Sequence, residues 1–172
     1  MPKFYEGDLD GSFFRLAIIV SRFTEDLTDL LLEGALDTAK EAGVSDAAIN
    51  VFYCPGAFEI PLIAEELASS HSYDAIICLG CVIRGETSHF DYVAGECARG
   101  IADVGRLYRI PVTLGVITAE NRQQAEARAG GSKTNMGSDA MAAAIRMASL
   151  FKDFNYGCLL YTSDAADEGL GV

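Results

Sequence analysis

The stretch AIICLGCVIRGETSHF, residues 75–90, carries the pattern that decides the fold. Its first nine residues form a continuous apolar run, which is typical of a strand covered on both faces of a sheet. A glycine turn then leads to His89, where a helical pattern begins and continues to Tyr108. The sequence therefore predicts a buried strand, a loop and a helix in direct succession.

Strand-like and helical patterns alternate along the rest of the chain. We predict buried strands at residues 14–20, 49–54, 75–83 and 112–118. We predict helices from a cap at Thr24 to a stop at Gly43, and then at residues 61–68, 89–108, 121–129 and 137–151. A short extended arm, residues 3–6, precedes the first strand. Such alternation implies one α/β domain with a parallel sheet and helices on both of its faces.

Composition and charge narrow the class of protein. The chain has 172 residues, half of them hydrophobic, which suits one compact domain, and no run reaches the roughly 18 apolar residues of a membrane span. The net charge of −12 argues against a nucleic-acid partner, because such proteins usually present a basic face. Five cysteines, an odd number set mostly in apolar runs, favour free thiols in the reducing cytoplasm.

The C-terminal residues differ in character from the domain. Residues 158–168, CLLYTSDAADE, resemble the in-frame translation of a DNA-sequencing adapter. We therefore expect the domain to span residues 1–157, and residues 158–172 to be a non-native tail without meaning for the fold.

The loops that follow the strands are where chemistry is expected, because ligands bind beyond the carboxyl ends of parallel strands. The first of them, SRFT at residues 21–24, lacks the glycines that allow a backbone to approach a dinucleotide. This disfavours a Rossmann oxidoreductase. Phe23 could stack on a planar heterocycle there, or it could simply cap the helix.

The segment GCVIRGET, residues 80–87, comes close to a nucleotide-binding P-loop. Glu86 replaces the lysine that would hold a triphosphate, but the glycine turn, Thr87 and the helix start could hold one phosphate. His89 follows, and an imidazole can transfer protons near neutral pH, although a surface histidine is the open alternative. His71 lies at a helix end beside serines, and two distant histidines offer no metal-ligand spacing.

Two further features admit simpler interpretations. Cys78 and Cys81 form a CxxC pair, but positions three apart on a strand face opposite sides, which argues against redox or metal chemistry. Arg128 ends a short helix, where an arginine is usually solvated or pairs with the helix dipole. If Arg128 points across the crevice, it could instead clamp a phosphate, with Asp139 orienting it.

Five stretches carry a resemblance to the lumazine synthase family across residues 4–151. They are IIVSRFTEDL, CPGAFEIP, LGCVIRGETSHFDYVA, IPVTLGVITAEN and ARAGGSKTNMGSDA. The resemblance implies a transferase of riboflavin biosynthesis that condenses 5-amino-6-(D-ribitylamino)uracil with 3,4-dihydroxy-2-butanone 4-phosphate. The products would be 6,7-dimethyl-8-ribityllumazine, phosphate and water, with neither a metal nor an organic cofactor taking part. The implied fold is a flavodoxin-like, three-layer α/β/α sandwich with a four-stranded parallel sheet.

The same resemblance implies roles for individual residues. Phe23 would stack on the uracil ring, and Glu59 would accept hydrogen bonds from the ribityl hydroxyls. Glu86 and Thr87 would lie at the phosphate, and Arg128 would clamp it from the other side. The remaining contacts to the pyrimidine and its ribityl chain would come from Ala57, Phe58, Cys81, Val82 and Ile83. His89 would transfer protons during imine formation and phosphate loss.

Two positions depart from the family pattern. Leu114 stands where members often carry a phenylalanine that reaches the neighbouring subunit's site. Met136 stands where they usually carry a lysine, and Lys133 is a candidate replacement for that charge. These departures keep open a non-catalytic homologue that binds flavin or lumazine, or that only forms a cage. A flavodoxin-type electron carrier would need a phosphate loop after the first strand, which SRFT does not resemble.

The resemblance also implies an assembly. Family members form active sites between adjacent subunits of a homopentamer, and some build a 60-subunit icosahedral shell. The link after Arg128 matches the shell-forming members in length, so a shell is possible here. The arm at residues 3–6 would then add a strand to a neighbour's sheet.

Overall fold

A parallel sheet of four strands forms the centre of the molecule. The computed structural model describes the backbone of residues 1–167 and the side chains of residues 1–154. The strands are β1 Leu16–Ser21, β2 Ile49–Cys54, β3 Ala75–Ile83 and β4 Val112–Ala119. They lie in the order β2-β1-β3-β4, and all neighbouring pairs are parallel. The predicted strands are confirmed, and β2 and β3 have the predicted bounds.

Helices cover both faces of this sheet. They are α1 Glu25–Glu41, α2 Ile60–Ser69, α3 His89–Tyr108, α4 Arg122–Arg128 and α5 Met136–Asp167. Helices α1, α4 and α5 pack on one face, and α2 and α3 pack on the other. The predicted three-layer α/β/α sandwich is therefore confirmed. Within the part of the chain that the structure describes, no helix is long and apolar enough to cross a membrane.

Strand β1 shows why the buried strands are apolar throughout. All six of its residues are buried. Leu16, Ile18 and Val20 face the layer of α1 and α5, whereas Ala17 and Ile19 face α2 and α3. Successive side chains point to opposite faces, so a strand covered on both sides needs apolar residues at every position. Each fully buried aliphatic side chain contributes about 1.5–3 kcal/mol to folding.

The last helix is longer than predicted, and the predicted N-terminal arm lies outside the sheet of its own chain. The arm at residues 3–6 is exposed and belongs to no strand of the sheet. Helix α5 continues beyond the predicted end at residue 151. No proline follows that residue, so the helical hydrogen bonding can continue. The predicted non-native tail, residues 158–172, lies outside the residues whose side chains are described.

Helix α1 begins and ends near the predicted residues, but by different means. Gly43 follows its end with a φ of 78°, a left-handed conformation that glycine adopts without steric cost. Thr24 precedes its start, yet the hydroxyl makes no capping hydrogen bond. It donates instead to the carbonyl oxygen of Cys81 at 3.3 Å. The predicted cap is therefore wrong in its contact, because the nearby end of β3 offers a competing acceptor.

The link between α4 and α5 is anchored on α1 through Asn135. Its Oδ1 accepts hydrogen bonds from the backbone N–H groups of Gly137 and Ser138, which start α5. Its Nδ2 donates to the carbonyl oxygen of Leu30 at 2.8 Å. The side chain lies in space left by Gly34, where a Cβ would come within 2.4 Å of it. A polar link without helical pattern thus has a defined path.

Candidate active site

The carboxyl ends of β1, β2 and β3 surround an open cavity of about 590 Å³. The start of α3 forms its remaining wall. Nine residues predicted for the site lie in this lining: Phe23, Ala57, Phe58, Glu59, Cys81, Val82, Ile83, Thr87 and His89. The lining comes from three segments of the chain, residues 23–24, 56–59 and 81–93. The cavity thus lies where open parallel sheets bind their ligands.

The floor and the walls of the cavity differ in burial. Ala57 and Cys81 are buried and form its floor, whereas the walls carry exposed aromatic rings. The ring of Phe23 is 85 % exposed, and those of Phe58 and Tyr92 are also exposed. Aromatic faces left open to solvent around a cavity suit a planar ligand that can stack between them.

Sequence reasoning missed part of the lining on α3. Phe90, Tyr92 and Val93 line the cavity together with His89. Residues three and four apart share one face of a helix, so Tyr92 and Val93 follow from the position of His89. That spacing was available in the sequence. Gly56 also lines the cavity, as does Gly85 of the predicted glycine turn.

The loop after β2 places the carboxylate of Glu59. Glu59 ends a short 3-10 turn, Ala57–Glu59, directly before α2. A Cβ on Gly56 would lie 3.1 Å from Oε2 of Glu59, so glycine lets the carboxylate fold back over the loop. The thiol of Cys54 donates to the carbonyl oxygen of Gly56 at 3.3 Å. Burial, reinforced by the charge of Glu59, raises the pKa of that thiol to about 11.

The cysteines of the cavity and the core are protonated at neutral pH. Burial raises the pKa of Cys81 to about 11, although a hydrogen bond with Thr24 opposes the shift. Cys78 is fully buried, and the same cause raises its pKa well above the ordinary value. Only the thiolate is a strong nucleophile or metal ligand. Both thiols are free and buried.

The loop between β3 and α3 ends in a helix start that is open to a ligand. We call residues 85–88 the phosphate loop. Ser88 occupies the N-cap position of α3, and its side chain makes no capping hydrogen bond. The backbone N–H of His89 donates to Oγ1 of Thr87 in a long contact of 3.4 Å. The first N–H groups of a helix have no partner inside it and favour an anion.

The lysines and arginines of a single chain are outside the described cavity lining. Among the described residues that line it there is neither lysine nor arginine. Arg128 lies at the end of α4, where its Nη1 donates to the carbonyl oxygen of Gln124 at 3.0 Å. Oδ2 of Asp139 accepts a hydrogen bond from Oγ1 of Thr134 at 2.8 Å. The expected Arg128–Asp139 contact is therefore replaced by two local hydrogen bonds within the described residues.

The other predicted site residues are outside the cavity lining of their own chain, although Glu86 lies between two lining residues, Gly85 and Thr87. Met136 is half-buried and packs against the core below α1 and α5. Lys133 and Glu86 are exposed, and Leu114 is exposed on the edge strand β4. The residues outside the lining are thus Glu86, Leu114, Arg128, Lys133, Met136 and Asp139. Most of them lie on or after β4, the edge farthest from β2.

Metal ligation is a separate question from substrate binding. Within the described part of the chain, no three histidine, cysteine, aspartate or glutamate side chains are grouped closely enough to bind a metal ion.

A family model described as 6,7-dimethyl-8-ribityllumazine synthase matches residues 14–152. The match covers all four strands, helices α1 to α4 and the first half of α5.

Proposed function

The chain belongs to the 6,7-dimethyl-8-ribityllumazine synthase family, and we propose that it performs the family's reaction in the cavity beyond β1, β2 and β3. It is a transferase of riboflavin biosynthesis. The proposal is carried by the convergence of an aromatic face, a carboxylate, a hydroxyl at a helix start and an imidazole in one cavity. These groups are Phe23, Glu59, Thr87 and His89.

The pyrimidine substrate would occupy the part of the cavity between the first two loops. The exposed ring of Phe23 would stack on the uracil. Glu59 would accept hydrogen bonds from the ribityl hydroxyls, beside the side chains of Ala57 and Phe58. Backbone groups of residues 81–83 would read the edge of the pyrimidine on the side that faces β1, because the pairing of β3 with β1 ends at Leu79.

The phosphate of the second substrate would lie at the start of α3. The free N–H groups of the helix and the hydroxyl of Thr87 can hold one phosphate there. No cation of the same chain lines the cavity, within the described residues. We infer that Arg128 of the partner subunit supplies the cation, and that Leu114 of the partner subunit supplies an apolar wall. Both residues lie toward the β4 edge, away from their own cavity.

His89 would transfer protons between the reacting groups. The amine of the pyrimidine attacks the carbonyl carbon of the ketone, and water leaves as the imine forms. Phosphate then leaves, and the ring closes with loss of water. An imidazole at the cavity wall can accept and return protons in these steps. Holding two reactants together supplies much of the remaining acceleration.

If neighbouring subunits share their sites, the chains form a closed assembly. We place this assembly in the cytoplasm. A homopentamer is the smallest arrangement that the family implies, and a 60-subunit shell is a larger one that it allows. In that assembly, the exposed arm at residues 3–6 would pair with a neighbour's sheet.

Lys133 would supply the positive charge that Met136 cannot. Lys133 is exposed, and its backbone N–H donates to the carbonyl oxygen of Ala127, the residue before Arg128. Residues 158–172 would take no part.

The test is a turnover assay on the full chain with both substrates. We expect lumazine absorbance and released phosphate to rise together, well above the uncatalysed condensation. Binding of the pyrimidine without turnover would contradict catalysis and favour a binding or cage-forming homologue.

Substituting Lys133 by alanine should raise the Michaelis constant of the phosphate substrate. An unchanged constant would remove Lys133 from the proposal.

The shared site has a sharper test in mixed assemblies. His89→Ala and Arg128→Ala should each lower activity when assembled alone. If the two chains are refolded together in equal amounts, about a quarter of the shared sites should contain both native residues. Activity of the mixture above either parent supports sharing. A mixture no better than the average of its parents would place the whole site within one chain.

A further inference from the structure

The Arg84 side chain connects three elements at the carboxyl edge of the sheet. Its Nε donates to Oε2 of Glu120, directly after β4, at 2.8 Å. Its Nη2 and Nη1 donate to Oδ1 and Oδ2 of Asp91, in the first turn of α3, at 2.9 and 3.2 Å. The guanidinium carbon lies 4.2 Å from the centroid of the Phe90 ring. A bidentate and stacked arginine fixes direction as well as distance.

These contacts close the phosphate loop at its base. The loop begins after Arg84 and ends before His89, so the Arg84–Asp91 pair bridges from one side of it to the other. The backbone N–H of Arg84 also donates to the carbonyl oxygen of Ala119 at 2.9 Å, which ties the same residue to β4. The start of α3 is thereby held against the sheet, with Thr87 and His89 between two fixed points.

The guanidinium is already neutralised by protein groups. Its hydrogen bonds hold the pKa of Asp91 below the ordinary value, and the contacts to Asp91 and Glu120 raise its own. Arg84 is also absent from the described residues that line the cavity. An arginine engaged by two carboxylates has little capacity left for a phosphate. Its contacts fit a role in holding the loop rather than in binding substrate.

We propose that Arg84 is a positioning residue that, through Asp91 and Glu120, holds the phosphate loop and His89 in the geometry that the reaction requires. This inference rests on the proposed function of the cavity. The three side chains are 35 %, 58 % and 61 % exposed, so their ion pairs contribute little to the stability of the fold. The rate is more sensitive, because a displacement of about 1 Å can cost roughly a hundredfold.

The test compares Arg84→Ala and Arg84→Lys with the native full chain. We expect Arg84→Ala to lower kcat by about tenfold or more and to raise KM for the phosphate substrate. KM for the pyrimidine should stay within about twofold, because Phe23 and Glu59 lie on other loops. Inorganic phosphate should become a weaker competitive inhibitor. Arg84→Lys should not restore the rate, because one ammonium cannot bridge two carboxylates in this geometry.

Arg106→Ala is the matched control. Arg106 also pairs with an aspartate of α3, Asp103, but far from the cavity, and its removal should leave both constants unchanged. Asp91→Asn is the milder second variant, and it should show part of the Arg84→Ala defect. Combined with Arg84→Ala, it should add little, because the two changes remove the same contact.

Three outcomes would overturn the proposal. One is an Arg84→Ala enzyme with native kcat and KM while His89→Ala is impaired. Another is a defect spread equally over both substrates together with a lowered unfolding temperature, which would mean general destabilisation. The third is full additivity with Asp91→Asn. If instead the native chain forms product no faster than the uncatalysed condensation, the proposed function itself has failed.

Discussion

The two ends of the sheet carry cavities of nearly equal size but opposite character. The carboxyl end has the cavity of about 590 Å³ with His89, and the amino end has a groove of about 570 Å³ with His71. Each has an exposed phenylalanine, Phe23 at one end and Phe13 at the other. Arg109 and Lys152 line the groove, whereas the described lining of the cavity contains no such cation.

The direction of the helices explains the difference. In a parallel α/β fold, helices start at the carboxyl end of the sheet and finish at the amino end. His71 follows the end of α2, and Arg109 caps the end of α3, each with a φ of 52°. Helix ends carry partial negative charge and attract cations, whereas helix starts favour anions. Arg109 therefore complements the end of α3, whereas the free N–H groups at the start of the same helix favour an anion in the cavity.

The largest expected effect contrasts the two histidines. His89→Ala should lower kcat by about a hundredfold, because it removes the proton-transfer group from the cavity. His71→Ala should leave kcat within about twofold, because the His71 ring lies at the amino end of the sheet, hydrogen-bonded to the carbonyl oxygen of Ser69. Steady-state rates with both substrates measure the difference. Equal losses in the two variants would remove the functional contrast between the ends.

The next effect contrasts the two phenylalanines. Phe23→Ala should raise KM for the pyrimidine by about tenfold, because a stacking contact is worth roughly 1 kcal/mol beyond the buried area. Phe13→Ala should leave that constant unchanged, since its ring faces Lys152 in the groove. Direct titration of the pyrimidine gives the same contrast without turnover. A Phe23→Ala chain with native affinity would mean that the ring only caps α1.

A smaller effect concerns the stability of the amino end. His71→Gly and Arg109→Gly should each raise the free energy of unfolding by about 1 kcal/mol, because glycine adopts a positive φ without steric cost. The reverse change, Gly43→Ala at a φ of 78°, should lower it by a similar amount. Denaturant unfolding at fixed protein concentration measures all three. If both glycine variants are destabilised, the charge at the helix ends outweighs the backbone strain.

The smallest expected effect concerns the thiol of Cys81 at the carboxyl end of the sheet. With a pKa of about 11, Cys81 should react with iodoacetamide very slowly at pH 7.5, and its rate should rise about tenfold per pH unit up to that pKa. Since folding raises this pKa, its contribution to stability is present below the unfolded pKa and is lost as the pH rises toward 11. Cys81→Ala should keep kcat within about twofold. Fast alkylation near neutral pH would contradict the burial of the thiol.

Local patterns in the sequence predicted most of the fold and the centre of the site. Strand β3 and helix α3 have the predicted bounds, because an apolar run and a helical repeat are short-range signals. Phe23 and His89 were predicted because the ends of parallel strands share one edge, whereas Glu59 was predicted from the family resemblance. Thr24 occupies the predicted N-cap position, but its side-chain contact was not predicted, since its acceptor, Cys81, lies 57 positions away. The Arg84 contacts were missed for the same reason, because Glu120 lies 36 positions away.

The sequence by itself determined the succession of strands and helices along the chain, the layer architecture and the loops in which the site was expected. These follow from hydrophobic period and from the chirality of parallel connections, which act over one or two elements at a time. Only the tertiary structure decided which side chains meet. It brought nine predicted residues into one cavity, packed Met136 against the core and bonded Arg128 to its own helix. Contacts between distant segments depend on how the helices pack on the two faces of the sheet, and no local pattern in the sequence determines that packing.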